Sequence, residues 1–444
     1  MLLTLISYAR IRNARIHELL FAELFVVSPL LIFGSAQQLI YLSDLVGVFA
    51  GYQVLQFLVY KPSMKRTWDN YDWIVVFLLV VSPGLTLLFQ IIFNFEEVSL
   101  LHGLTFLLRS WGAFLIYFWI RLAVRNDVIT FKVMGRLAIL PIVMMLLFAC
   151  SQYITSISTD IYEILGETMS ITQWNGGYGG GAAGLYRGEV GAMAALFSVV
   201  GVSSLERRGV LRWSAPLIIA ICLYLCTAVG SRQGTVGVIL FSLVYWFINV
   251  QRGKVVDANY FLGVVVLFSI FAIGYLIYSN NEFSHWVLSR FEVFSSSVDD
   301  MLVAAEARDT RMEDIGYKFF SDPFVYVFGI GSAAFSEFYS FNPWMMIYVD
   351  SEFFWALQQN GILGVLSILA IYSMWASDLL RGWSSKLTEP AELIFGVSLI
   401  LIYLFFTYGH YVFLNFQSSN SQFAALSWAL FAMSIQMLRN RNGK

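Results

Sequence analysis

Residues 259–279 read NYFLGVVVLFSIFAIGYLIYS, a run without a single Asp, Glu, Lys or Arg. A bilayer core takes about 20 mostly apolar residues per helix, with about 17 to 25 workable, so the run reads as a membrane span. Similar runs lie on both sides of it: 18–36, 42–60, 73–93, 99–120, 137–154, 189–205, 213–229 and 233–250 before, then 353–377, 391–414 and 421–438 after. The expected fold is therefore all-α and integral to a membrane, a single polytopic domain over 1–444 with about 12 transmembrane helices. Between spans 9 and 10 comes a polar stretch, 280–350, holding Arg290, Arg308, Arg311, Lys318, Asp299, Asp300, Glu337 and Asp350 among aromatics. Loops beyond about 15 residues are usually functional or disordered. This mixture suits a ligand both polar and bulky.

Composition agrees with the span reading. The chain is 58% hydrophobic, 17% aromatic and only 13% charged, whereas soluble domains carry about 25% charged residues. Its mean hydropathy is +0.70. The net charge of -2 averages two faces of opposite character and says little about partners. The three cysteines, Cys150, Cys222 and Cys226, fall inside apolar runs and read as packing residues. Residues 1–16 lack the order of basic, apolar and small residues that marks a removable signal peptide, so the first span is expected to stay as an anchor.

Basic residues concentrate in cytoplasmic loops, and on the twelve-span count twenty of the 27 sort to one face, in clusters such as Arg10–Arg15, Lys61–Arg66, Arg121–Arg136, Arg207–Arg212 and Arg439–Lys444. That face is expected to be cytoplasmic and to hold both termini. Opposite lie the Gly-rich extracytoplasmic loop 155–187 and the large loop 280–350. Arg187, Arg232, Arg290, Arg308, Arg311 and Lys318 fall on this second side, and Arg109 lies inside the fourth span.

Three arginines stand out. Arg232 sits in Gly230-Ser231-Arg232-Gln233-Gly234, a short turn before a helix expected from Gln233. Glycines allow a ligand close to the backbone, and the helix start favours an anion. An interfacial arginine snorkelling to headgroups is the plainer reading. Arg109 is buried about ten residues deep, which suits either a functional cavity or an ion pair, for which Glu189 is the candidate partner. Arg187 closes a glycine-rich tract whose Trp174, Tyr178 and Tyr186 favour an ordered, sugar-stacking loop over a linker. In the large loop, Phe328-Gly329-Ile330-Gly331 reads as a turn with close backbone approach. His410 lies near the outer end of its span, as a cavity or a packing histidine. No metal, nucleotide or dinucleotide signature is present.

The segment Asp350-Ser351, nine residues, Gly361, two residues, Gly364 resembles the signature of the O-antigen ligase and Wzy-type O-antigen polymerase superfamily. Gly230–Gly234, Gly184-Leu185-Tyr186-Arg187 and Phe319–Pro323 leading to Gly329-Ile330-Gly331 fit the same pattern in the same order. Ligases carry histidine at the first position, where this chain has Asp350, which tilts the resemblance toward polymerase. It implies a metal-independent GT-C-type glycosyltransferase, without cofactor, acting in the bacterial inner membrane in lipopolysaccharide biosynthesis. The substrate implied is an oligosaccharide on a polyprenyl (undecaprenyl) diphosphate, joined at the periplasmic face, with a chain-length regulator protein as partner and no nucleic acid. Arg232 would stabilise the leaving diphosphate and Asp350 take the acceptor proton, with Glu337, Glu352 and His410 as rival bases. Arg109, Arg187, Arg308 and Arg311 would hold diphosphate or sugar. Asp350-Ser351 also suits the cap of a helix starting near Glu352. A ligase acting on lipid A-core and a glycolipid flippase or transporter are the alternatives.

Overall fold

Inside a bilayer every backbone N–H and C=O must be paired within the protein, so long apolar runs form helices. The computed structural model describes residues 24, 31–35, 38–60, 68–92, 100–131, 133–135, 137–139, 142–143, 187–206, 211–228, 231–279, 323–329, 352–384, 389–409, 412–414 and 420–442, some of them by backbone alone. A two-stranded antiparallel hairpin, β1 Leu31–Ser35 and β2 Gln38–Tyr41, leads into α1 Leu42–Tyr60. Next, α2 Asn70–Val76 passes through a π-helical turn, Phe77–Val81, into α3 Ser82–Ile92, and α4 Leu100–Arg125 follows. Then come α5 Arg187–Glu206, α6 Leu211–Ala228, α7 Arg232–Gln251, α8 Val255–Ser279 and the short α9 Pro323–Phe328. The chain continues with α10 Glu352–Ser384, α11 Pro390–Gly409 and α12 Asn420–Asn442.

Among the described residues, five stretches are long and apolar enough to cross a membrane: Asn70–Leu88, Gly103–Arg125, Arg232–Gln251, Gln359–Ser384 and Pro390–Thr407. Together with the shorter apolar helices Leu45–Leu55, Gly191–Ser204, Ser214–Thr227 and Val255–Phe271, this is the architecture of an α-helical membrane protein. Large apolar side chains such as Phe49, Leu88, Ile92, Ile270 and Phe271 point outward, as a lipid-facing surface requires.

Four expectations change. The run 18–36 ends in β1 rather than helix, and the rest of it is outside the described residues apart from Leu24, as is most of 137–154. The span 99–120 extends to Arg125, which draws Arg121 out of a loop and into the buried last turns of α4. The span 353–377 is a longer helix that breaks at Gly361. The span 391–414 stops as helix at Gly409, because the next N–H groups are taken by a side chain from α10.

The core is aromatic. α12 is buried along most of its length between α4, α10 and α11, and its Trp428 and Phe431 pack with Tyr117, Trp375 and Phe413. Lipid offers no hydrophobic drive between helices, so close packing must supply cohesion. Glycines meet where backbones cross: Gly47 of α1 on Gly112 of α4, and Gly191 of α5 on Gly234 of α7.

At one end of the bundle the first turn of α2 is capped by Asp69, whose carboxylate accepts from the N–H groups of Tyr71 and Asp72, while Asp72 reaches back to the Asp69 N–H at 2.9 Å. Arg121 bridges both acids, at 2.7 Å to Asp69 and 2.5 Å to Asp72, and also donates to Gln436 on α12. Arg439, near the end of α12, pairs with Asp69 and lies 3.6 Å from Asp378 of α10. The network ties α2, α4, α10 and α12 together at a single level.

Candidate functional site

The opposite end of the bundle gathers the helix starts that carry sequence-predicted residues. Ser231 caps α7, accepting from the Gly234 N–H at 3.2 Å, so this helix begins at Arg232, one residue earlier than expected. Arg232 is thus in the first turn and half-buried. One helical turn into α5, Gly191 lies against Ser231 and Gly234, where a methyl group on either glycine would overlap the other helix. Cys226, at the end of α6, donates its thiol to the Gly191 carbonyl and accepts the Ser231 N–H at 2.8 Å. These contacts bring the start of α5, Arg187, beside the start of α7, Arg232. The side chains of Arg187 and Glu189 lie outside the described residues, as do Arg308, Arg311, Glu337, Asp350 and His410.

Gly237, the next turn of α7, packs on Phe406 near the end of α11. Beyond α11 the bend 412–414 is held by side chains from α10 and α12. The Glu352 carboxylate accepts the N–H groups of Val412, Phe413 and Leu414 at 2.6, 2.9 and 2.8 Å. The indoles of Trp355 and Trp428 donate to the carbonyls of Leu414 and Phe413 at 2.9 and 2.8 Å. Burial pushes the Glu352 carboxyl up, to about 7, against the three N–H donors, which favour its ionised form. Glu352 is a candidate base by sequence, but both its oxygens are engaged on the backbone, which makes it a clamp.

Nine residues after the start of α10 lies its break. Gly361 has φ 65 and ψ -164 inside α10, a conformation open to glycine and costly for other residues. Here the backbone of α9 comes in directly: a methyl at Gly361 would strike the Val327 carbonyl, and one at Gly329, φ 81, would strike Gln359 and Asn360. The close approach expected at Gly329 is present, and its partner is the Gln359-Asn360 backbone within the other motif. Gly364 has its own reason, since a Cβ there would sit 2.5 Å from the Asn360 Cβ. Asn360 in turn accepts the Ser82 hydroxyl at 2.8 Å, across from the π-helical turn. The carbonyls of Leu79 and Val80 in that turn accept from Ser110 and Trp111, next to Arg109, which is buried at 9% exposure.

The arrangement can therefore do two things chemically. Adjacent helix starts with an arginine in each first turn form a setting for an anion, and tethered backbone around Gly361 and Val412–Leu414 holds the surrounding segments in fixed geometry. No protein-family model matches the chain. A search of curated proteins also finds no match.

Three features of the fold escaped the sequence reading. The Glu352 clamp and the Ser82–Asn360 hydrogen bond join residues far apart along the chain, which no local pattern reveals. The Asp69–Arg121 network had a local trace: Asp69-Asn70-Tyr71-Asp72 is an acidic variant of the capping box.

Proposed function

We propose that the chain is an O-antigen polymerase, a metal-independent glycosyltransferase that joins polyprenyl-diphosphate-linked repeat units at the extracytoplasmic face of a bacterial inner membrane. The observation that carries this reading is the Gly191–Gly234 contact, which sets the helix starts of Arg187 and Arg232 side by side. In the reaction an acceptor sugar hydroxyl attacks the anomeric carbon of the donor glycan. The new glycosidic C–O bond forms as the bond to the diphosphate breaks, Asp350 takes the hydroxyl proton, and the released diphosphate carries the negative charge. Guanidinium groups stabilise that charge without a metal. Arg232 faces the leaving group first, with Arg109, Arg187, Arg308 and Arg311 holding the diphosphate and its sugars. Twelve spans with both termini cytoplasmic would put these groups on the periplasmic side.

The test is to incubate purified protein with a polyprenyl-diphosphate-linked repeat unit alone, then resolve product lengths on a gel. A ladder is the expected result, and Arg232→Ala should abolish it while the protein stays folded in the membrane. Wild-type polymer lengths from that variant would refute the role of Arg232. A second reading, glycolipid transport, draws on the break in α10, since discontinuous helices are common at transporter binding sites. It predicts lipid-linked units retained on the inner side rather than single units delivered outside and never joined.

A further inference from the structure

The break at Gly361 divides α10 into 352–360 and 362–384, and it falls near the start of the membrane-length stretch Gln359–Ser384. A helix that starts at such a break turns its first-turn N–H groups and the positive end of its dipole toward the gap. Two side chains flank that start. Gln359 is 3% exposed and Asn360 2% exposed. With its Oδ1 taking the Ser82 proton, Asn360 leaves its Nδ2 as a donor, and neither this atom nor Gln359 Nε2 has a hydrogen-bond partner among the described residues. Asn360 lies over the first turn of the second segment, its Cβ against Gly364. Burying a donor without an acceptor is costly, and two adjacent cases at the start of a helix point to an acceptor that arrives from outside the chain.

We infer that the break in α10 is an oxyanion subsite for a phosphate or diphosphate group, received by Gln359 Nε2, Asn360 Nδ2 and the first-turn N–H groups after Gly361. Gly361 and Gly364 are what this construction needs: the first lets α9 and α10 meet backbone to backbone, and the second leaves space for the Asn360 side chain. No residue in the subsite need titrate, so binding is carried by neutral dipoles and differs from an arginine site in surviving moderate salt. Within the proposed polymerase the subsite would hold one diphosphate of the two lipid-linked substrates, and that assignment rests on the polymerase reading. The oxyanion subsite itself does not.

The test uses the full-length protein in neutral phosphatidylcholine nanodiscs, titrated calorimetrically with inorganic pyrophosphate and with farnesyl diphosphate. Gln359→Met removes the unpartnered Nε2 donor together with the amide oxygen at nearly constant volume, and thermal unfolding without ligand, expected near the wild-type value, checks that the variant is folded. Asn360→Asp keeps an acceptor for Ser82 and places an oxygen where the donor was. Each variant should weaken binding by at least about tenfold. Binding of both probes, with farnesyl diphosphate tighter, identifies a lipid-borne diphosphate as the ligand, and binding of pyrophosphate alone identifies the free anion. Affinities within about twofold of wild type in both variants, or no binding of either probe to the folded wild type, would overturn the inference. Loss in the two variants combined with failure of wild-type polymerisation would sink the polymerase reading and leave the subsite standing. A polymer ladder with unaltered binding in the variants would do the reverse.

Discussion

Glu352 shows how a single side chain can replace a stretch of helix. Three consecutive N–H groups end on its carboxylate, so Glu352→Ala would strand Val412, Phe413 and Leu414 in a buried place. At about 1–3 kcal/mol for each unsatisfied donor, the variant should lose about 3 kcal/mol or more, read as a fall in thermal unfolding temperature in detergent. The pH dependence has a definite sign. A carboxyl raised from 4.5 to about 7 in the folded state holds its proton longer there than in the unfolded chain, so this group's contribution to stability falls as pH rises from about 4.5 to 7. That decline should be absent in Glu352→Gln, and an unchanged slope in the variant would rule the assignment out. The start of α10 at Glu352 was legible because helix starts have a local chemistry, while the cap expected from Asp350-Ser351 lies outside the described residues. The clamp was not legible, because its acceptor and donors are about 60 residues apart in sequence.

Among the elements, helices were legible wherever an apolar run ended in turn residues. Ser231 and its glycines announced α7 to within a residue, for the physical reason that a serine oxygen is a good N-cap. The break in α10 was hidden, because Gln358-Gln359-Asn360-Gly361 is a short polar interruption between apolar runs of helical length, and a glycine inside a helix pattern carries no directional signal. The π-helical turn Phe77–Val81 was equally hidden, its carbonyl partners lying on α4. The α5–α7 contact supports a prediction at this scale. Gly191→Val would drive branched carbons into Ser231 and Gly234, part the two helices and cost about 1–3 kcal/mol or more. Chain extension should fall with it even where thermal unfolding shows that the protein folds. Retained activity in a folded Gly191→Val variant would mean that the pairing of those helix starts is irrelevant to function.

For the molecule as a whole, a buried ion network closes the Arg121 end of the bundle. Removing one partner of a buried ion network leaves the others uncompensated, a loss of about 3–5 kcal/mol, so Arg121→Met should destabilise sharply while leaving the Gly361 region chemically intact. Burial works to raise Asp69, but its hydrogen bond to Arg121 and the charges of Arg121 and Arg439 outweigh it and hold the carboxyl below its ordinary 3.8. The stabilisation this acid provides is present above 3.8 and is lost as pH falls through its lower folded value, so the end should stay tied at neutral pH and loosen only in strong acid, measurable as acid unfolding of the detergent-solubilised protein. α10 joins both ends: Asp378 faces the Arg439 network, and Glu352, roughly 35–40 Å away by helical rise, grips the 412–414 bend. A beam pinned at both supports with one notch can flex only at the notch, so any mechanical work done on this helix by an arriving lipid or a neighbouring loop is delivered to Gly361.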